Sequence, residues 1–233
     1  FQAYDTYQHL KRGKPHTRLT ARECLQVVPG LRDGTDLVGG VTFDEWGTNG
    51  ARLCAANALD AEEHGAKIFT HTTAEELLFE RPDGAPGKRG SVVGARVRDR
   101  MTGEARTVRA RVVVNCTGAW SPVIGALAGV REHVRVRPGK GIHVVLDRRV
   151  TDVGVMATAV DGRQIFVEPW ENTTVIGTTD DDEYGDLDAL TVHTSEVRYL
   201  VEGIESVVPS VREARIIGTT VGARPTLYAY GKT

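Results

Sequence analysis

Val197, Leu200, Val201, Ile204 and Val208 repeat at i, i+3, i+4, i+7 and i+11, the spacing of one apolar stripe along a helix. The chain around that stripe follows a different period. Residues 141–146, 164–167, 173–177 and 215–221 are short runs rich in β-branched residues and bounded by turn formers. A helix with one apolar face covers one face of a sheet. The region from about residue 135 therefore reads as a mostly antiparallel sheet carrying a single helix, with Thr194 as its N-cap. The runs at 164–167 and 173–177 flank 168–172 and form a hairpin.

The first half has another texture. Thr20 followed by Glu23 is a capping box, so a short helix should run over Ala21–Val27 and stop at Pro29-Gly30. Gly39-Gly40 introduces a short strand at 41–43. A clear helix covers 51–63, with Ala51, Cys54, Ala55, Ala58, Leu59 and Ala61 on one arc, whose small side chains suit close approach to a sheet. Gly65 ends it in the left-handed region, and a strand at 66–70 follows. Helix, glycine and strand make half of a βαβ unit. Residues 81–90 read as a surface loop. The segments 91–100 and 105–111 form a hairpin about 101–104. They lead into Val112-Val113-Val114, a continuous apolar run suited to a strand buried on both faces.

Composition closes off several classes. A chain of 233 residues has room for one large domain or two small ones, and at this length it buries about 70% of its unfolded surface without a disulfide or metal staple. A mean hydropathy of -0.25 and the lack of a long apolar run argue against a membrane-spanning helix. Twenty-nine Lys and Arg against 31 Asp and Glu leave a net charge of -2, with no electrostatic reason to bind nucleic acid. Cys24, Cys54 and Cys116 are odd in number and unpaired in spacing, as expected of reduced thiols in an intracellular, cytoplasmic protein. The chain opens on Phe1 without a leader and stops at Gly231-Lys232-Thr233 without a closing element, so it reads as a piece of a longer polypeptide.

Four places could carry chemistry. Asn115-Cys116-Thr117-Gly118-Ala119-Trp120 follows the apolar strand, where ligands of open sheets bind and where glycine lets a backbone come close to a cofactor. A plain strand-to-helix turn explains the same residues equally well. His143, in Arg137-Pro138-Gly139-Lys140-Gly141-Ile142-His143, could serve as a general base or be a satisfied strand histidine. Lys140 reads as a solvated loop charge. Arg224, before Pro225, offers a planar fork to a carboxylate or phosphate, or is structural. The acidic run at 180–183 lacks the EF-hand pattern and reads as a solvated turn. Asp44 and Glu45 are adjacent and face opposite ways. There is no G-x-S-x-G, no H-x-x-x-H, no phosphate-binding G-x-x-x-x-G-K-[ST] and no G-x-G-x-x-G.

The order of segments is specific. G-G-V-x-F, A-R-L-x-x-A-N-A, V-V-N-C-T-G-A-W, R-P-G-K-G-I-H, F-V-E-P-W, I-G-T-T-D and G-A-R-P resembles the FAD-dependent glycerol-3-phosphate dehydrogenases, within the wider D-amino-acid oxidase group. The resemblance covers the chain from about residue 20. It implies an α/β fold: part of a dinucleotide-binding βαβ flavoprotein domain plus a mostly antiparallel α+β substrate domain. The divisions are a helical lead-in over 1–40, part of the FAD-binding domain over 41–134 and the substrate domain over 135–233. The implied cofactor is FAD. Cys116, Thr117, Gly118 and Trp120 match the segment beside the flavin, and Thr72, Thr73 and Ala74 match a strand end that meets the adenine side through its backbone. Arg224 would hold substrate oxygens and His143 would help remove the C2 hydroxyl proton.

The implied reaction takes sn-glycerol 3-phosphate, a small phosphorylated polyol, to dihydroxyacetone phosphate, with electrons passing to a quinone or another acceptor. No nucleic acid and no metal enter this scheme. A homodimer and peripheral contact with the inner face of the cell membrane stay open. The family's amino-terminal G-x-G-x-x-G and its G-G-K-[LM]-x-x-Y-R region are not in this sequence. Two other readings stand beside this one: a related flavoprotein oxidoreductase for an amino or 2-hydroxy acid, and a catalytically inactive fragment that serves as an interaction module.

Overall fold

The structure, a computed structural model, describes residues 1–32, 36–80, 90–129, 135–158 and 161–228. Along the chain run α1 (Gln2–Asp5), α2 (Gln8–Lys11), β1 (Thr17–Thr20), α3 (Ala21–Val27), β2 (Gly39–Thr42) and α4 (Gly50–Glu63). Then come β3 (Thr72–Phe79), β4 (Val92–Asp99), β5 (Ala105–Arg109), α5 (Ser121–Ala128), β6 (Arg135–Leu146), β7 (Val155–Thr158), β8 (Gln164–Trp170) and β9 (Thr173–Gly177). The last are β10 (Asp181–Asp182), α6 (Thr194–Glu205) and β11 (Ile216–Tyr228). These elements cluster into two units, Phe1–Gly47 with Gly139–Arg224, and Thr48–Pro138 with Pro225–Thr233.

The first unit is built on a six-stranded sheet of order β10-β6-β9-β8-β7, with β11 also paired to β6. The β6–β9, β6–β10, β7–β8 and β8–β9 ladders are all antiparallel. Side chains alternate across a strand, and here the alternation separates core from site. Ile142, Val144 and Leu146 of β6, Ile165 and Val167 of β8 and Ile176 of β9 are buried against Leu200 and Ile204 of α6 and against Val208 and Val211 just beyond it. His143, Val145, Phe166, Glu168, Val175 and Gly177 alternate with those residues and belong to the opposite face.

The α6 stripe is therefore the lid of one sheet face, as its period required. Its N-cap is His193 rather than Thr194: the His193 backbone N–H donates to Glu196 Oε2 at 2.8 Å, so the helix is capped through Glu196 and starts without a hydroxyl. The capping box at Thr20 is present as expected. Glu23 N donates to Thr20 Oγ1 at 3.3 Å, and Thr20 N donates to Glu23 Oε2 at 2.8 Å. The same unit holds a two-stranded antiparallel pair, β1 with β2, which α3 lies against. Polar Thr17–Thr20 carries no apolar alternation, so β1 was not legible in sequence.

In the second unit β3, β4 and β5 form an antiparallel sheet in that order. The turn between β4 and β5 is held by Asp99, whose Oδ1 accepts from Met101 N at 2.8 Å and Thr102 N at 3.1 Å. Two expectations fail here. Residues 66–70 are not a strand; β3 begins only at Thr72. Val112, Val113 and Val114 are not a buried strand either, with exposures of 73%, 38% and 74%. A strand needs a neighbour for its backbone groups, and among the described residues neither segment has one. Helix α4 forms where expected, capped by Asn49 Oδ1 from Arg52 N at 3.0 Å, yet it buries none of its residues. The small-residue arc of α4 thus meets no sheet among the described residues. Residues 81–89 of the expected loop lie outside the described residues.

Candidate active site on the sheet face opposite the helix

The segment Lys140-Gly141-Ile142-His143 lies on β6, and its alternation sorts four functions. Ile142 points into the core, fully buried. Gly141 and His143 belong to the other face. His143 stands opposite Gly177 of β9, and Gly177 stands opposite Phe166 of β8. His143 is half-buried, with its Nδ1 3.5 Å from Thr220 Oγ1. Burial, followed by the Arg224 guanidinium charge, pushes its pKa below the ordinary imidazole value, while Glu168 pulls the other way. An imidazole so placed is neutral near pH 7 and carries a lone pair for a proton.

Arg224, late in β11, reaches the turn that follows β9. Its Nη1 donates to the Thr179 carbonyl and to Asp180 Oδ1, each at 3.1 Å, and its Nη2 donates to Thr178 Oγ1 at 2.9 Å. The turn is itself tied to β6, because Ile142 N donates to the buried Thr179 Oγ1 at 3.1 Å. A guanidinium has five N–H donors in a fixed fork. Three are used here, and Nε and the other Nη2 hydrogen have no partner among the described residues. Arg224 stays 40% exposed at its side chain. That edge can grip two oxygens of a carboxylate or phosphate in bidentate fashion.

Lys140 corrects its expected role. It is buried, and its Nζ lies 2.8 Å from Glu196 Oε2, with side-chain exposures of 6% and 10%. Burial pushes the Glu196 carboxyl up, but the Lys140 ammonium and the His193 N–H outweigh it, and its pKa ends below the ordinary value. The pair ties β6 to the first turn of α6 from inside the unit.

Structure thus groups His143 and Arg224 with Thr178, Thr179, Asp180 and Thr220, none of which was singled out as a site residue. The I-G-T-T-D run held the signal, but its acidic end read as a solvated turn. Among the described residues no group of three or more His, Cys, Asp or Glu could hold a metal ion. Nor is any described helix long and apolar enough to cross a membrane.

The other predicted residues lie in the second unit. Thr72, Thr73 and Ala74 open β3, paired on one side with Asp99, Arg98 and Val97 of β4. Among the described residues β3 is at the edge of its sheet, so its other side pairs with no strand. Thr117 N and Oγ1 both donate to Asn115 Oδ1, at 3.3 and 2.7 Å. Gly118 follows at φ +57°, and a Cβ there would meet nothing within 4 Å. Cys116 is exposed and Trp120 is 38% exposed. A fixed turn ending in a left-handed glycine beside open space fits a flat cofactor lying against the backbone.

Residues 1–232 match the family of FAD dependent oxidoreductases. The chain is 34% identical over 222 residues to the anaerobic glycerol-3-phosphate dehydrogenase subunit A1 of Haloferax volcanii, covering 91% of this chain and 36% of that protein. It is 33% identical over 216 residues to the alpha-glycerophosphate oxidase of Streptococcus pyogenes, covering 90% and 34%. Among solved structures, the FAD-complexed glycerol-3-phosphate dehydrogenase from Bacillus halodurans superposes with a TM-score of 0.80 at 27% identity, covering 91% of this chain and 42% of that one. The chain therefore spans about a third of the curated relatives it matches.

Proposed function

Since the chain belongs to the FAD-dependent oxidoreductase family, we propose that it carries the substrate-gripping face of an enzyme oxidising sn-glycerol 3-phosphate to dihydroxyacetone phosphate. The observation that carries this reading is the half-buried His143 ring and the half-engaged Arg224 fork on one unit, beside relatives named for glycerophosphate oxidation. When bound, FAD supplies the acceptor for the hydride that leaves C2 of the substrate.

Within this chain, the free Nε–Nη2 edge of Arg224 holds anionic oxygens and fixes the substrate's direction. His143 takes the C2 hydroxyl proton. In the tautomer in which Nδ1–H donates to Thr220 Oγ1, Nε2 carries the lone pair that accepts this proton. Loss of a proton and a hydride from the carbinol gives the ketone, so the step balances. Cys116, Thr117, Gly118 and Trp120 would hold the cofactor's ring side, and the free edge at Thr72, Thr73 and Ala74 its adenine side. Electrons then pass to a quinone, which implies peripheral contact with the inner face of the cell membrane.

The test compares kcat/KM for glycerol 3-phosphate with that for glycerol in the FAD-loaded holoenzyme. A charged hydrogen-bond pair supports a preference of about 10–100-fold for the phosphorylated substrate, and Arg224→Met should erase it. An unchanged preference in that variant would remove Arg224 from substrate binding. A faster reaction with an amino or 2-hydroxy acid would replace the substrate and keep the site.

A further inference from the structure

Both working side chains of the site lie over a glycine. A Cβ built on Gly141 would run into the Nη1, Nη2 and Cζ atoms of Arg224. A Cβ built on Gly177 would run into Cδ2, Nε2 and Cγ of His143. In neither case is any other atom among the three nearest neighbours. Neither glycine has a positive φ, so neither place calls for glycine through a left-handed backbone. The atoms that a methyl group would meet first at each position belong to the functional side chain.

The two glycines are set by the sheet. Gly141 precedes His143 by two on β6 and so shares its face, while Gly177 is the register partner of His143 on β9. Arg224 is closed in from the other side by its hydrogen bonds to Thr178, Thr179 and Asp180. His143 faces Thr220 across its other edge. Each side chain is held between a bare backbone floor and a polar wall.

We propose that Gly141 and Gly177 are positioning residues of the substrate site: Gly141 seats the Arg224 fork that binds the anion, and Gly177 seats the His143 ring that takes the proton. This rests on the roles given above to Arg224 and His143. It assigns each glycine a separate kinetic signature. A methyl at Gly141 pushes away the binding group, and a methyl at Gly177 pushes away the base.

The experiment uses Gly141→Ala and Gly177→Ala in the FAD-loaded holoenzyme, with glycerol 3-phosphate as substrate. Gly141→Ala should raise KM by about tenfold with a smaller change in kcat, as expected for the loss of a charged hydrogen bond. Gly177→Ala should lower kcat by up to about 10²-fold, the cost of an ångström-scale misplacement, with KM little changed. A second readout needs no turnover: the His143 ring titration by NMR. Gly177→Ala should move it up toward the value of a solvated imidazole, since the displaced ring loses burial, and Gly141→Ala should move it less. Equal kinetic losses in the two variants, with His143 titrating as in the wild type, would overturn the proposal. A wild-type holoenzyme inactive on glycerol 3-phosphate would instead sink the substrate assignment, and the NMR titrations would still decide the role of Gly177.

Discussion

Arg224 Nη1 lies 3.1 Å from Asp180 Oδ1, so the cation assigned to the substrate already faces a carboxylate of its own chain. Both side chains are partly exposed, at 40% and 46%, which makes the pair weak and its charge easily screened. Asp180 therefore does two opposed things. It holds one end of the fork, and it subtracts from the field that draws an anion to the other edge.

Asp180→Asn separates the two effects, since the amide oxygen still accepts from Nη1 but carries no charge. KM for glycerol 3-phosphate should fall by up to about fivefold at low salt, the scale of an exposed ion pair, and the gain should shrink as salt is added. Steady-state kinetics at two ionic strengths check this. A rise in KM would show that the charge of Asp180, rather than its hydrogen bond, orients the fork.

His143 predicts the acid side of the pH profile. Its pKa lies below the ordinary imidazole value of about 6.5, first through burial and then through the Arg224 charge. The base is active when neutral, so kcat/KM should fall only as pH drops below that value. Arg224→Met removes one depressing charge and should move the limb toward higher pH; Glu168→Gln removes the opposing one and should move it lower. The sign carries over to stability. A depressed folded-state pKa means that the unfolded chain binds the proton more readily, so this contribution is complete above the unfolded value and is lost as pH falls through the folded one.

Lys140 and Glu196 should behave as a unit. Lys140→Met leaves a buried carboxylate without its partner and should cost about 3–5 kcal/mol, whereas Lys140→Met with Glu196→Leu should cost much less. Denaturant unfolding of the two variants checks the claim. A double variant that loses as much stability as Lys140→Met, or more, would mean that the pair is not coupled.

Ile204, fully buried between α6 and the sheet, tests the core in the same way. Ile204→Ala should cost about 2–5 kcal/mol through the cavity it leaves, read by chemical denaturation. A loss well under that range would mean that α6 is not the main cover of the sheet.

What the sequence made legible follows one rule: signals carried by a residue's own neighbours in the chain survived. The α6 stripe, the Thr20–Glu23 box and the 91–111 hairpin each depend on spacing within one element or one turn, and each is present. The run at 112–114 and the strand at 66–70 depend on partner strands, and among the described residues there are none. Lys140 was misread for a similar reason. Its burial comes from Glu196, 56 residues away, which no local pattern announces. Asp180 is exposed, as a solvated turn requires, but its ion pair with Arg224, 44 residues away, leaves no local pattern in the chain. The resemblance named His143 and Arg224, but the surroundings of both were visible only once β6, β9 and β11 were paired.

Anaerobic titration of the FAD-loaded holoenzyme with glycerol 3-phosphate, followed by visible flavin absorbance, tests the proposed reaction most directly. The flavin should bleach with this substrate, and His143→Asn should slow bleaching without abolishing substrate binding. A flavin that stays oxidised with glycerol 3-phosphate, yet bleaches with an amino acid, would contradict it.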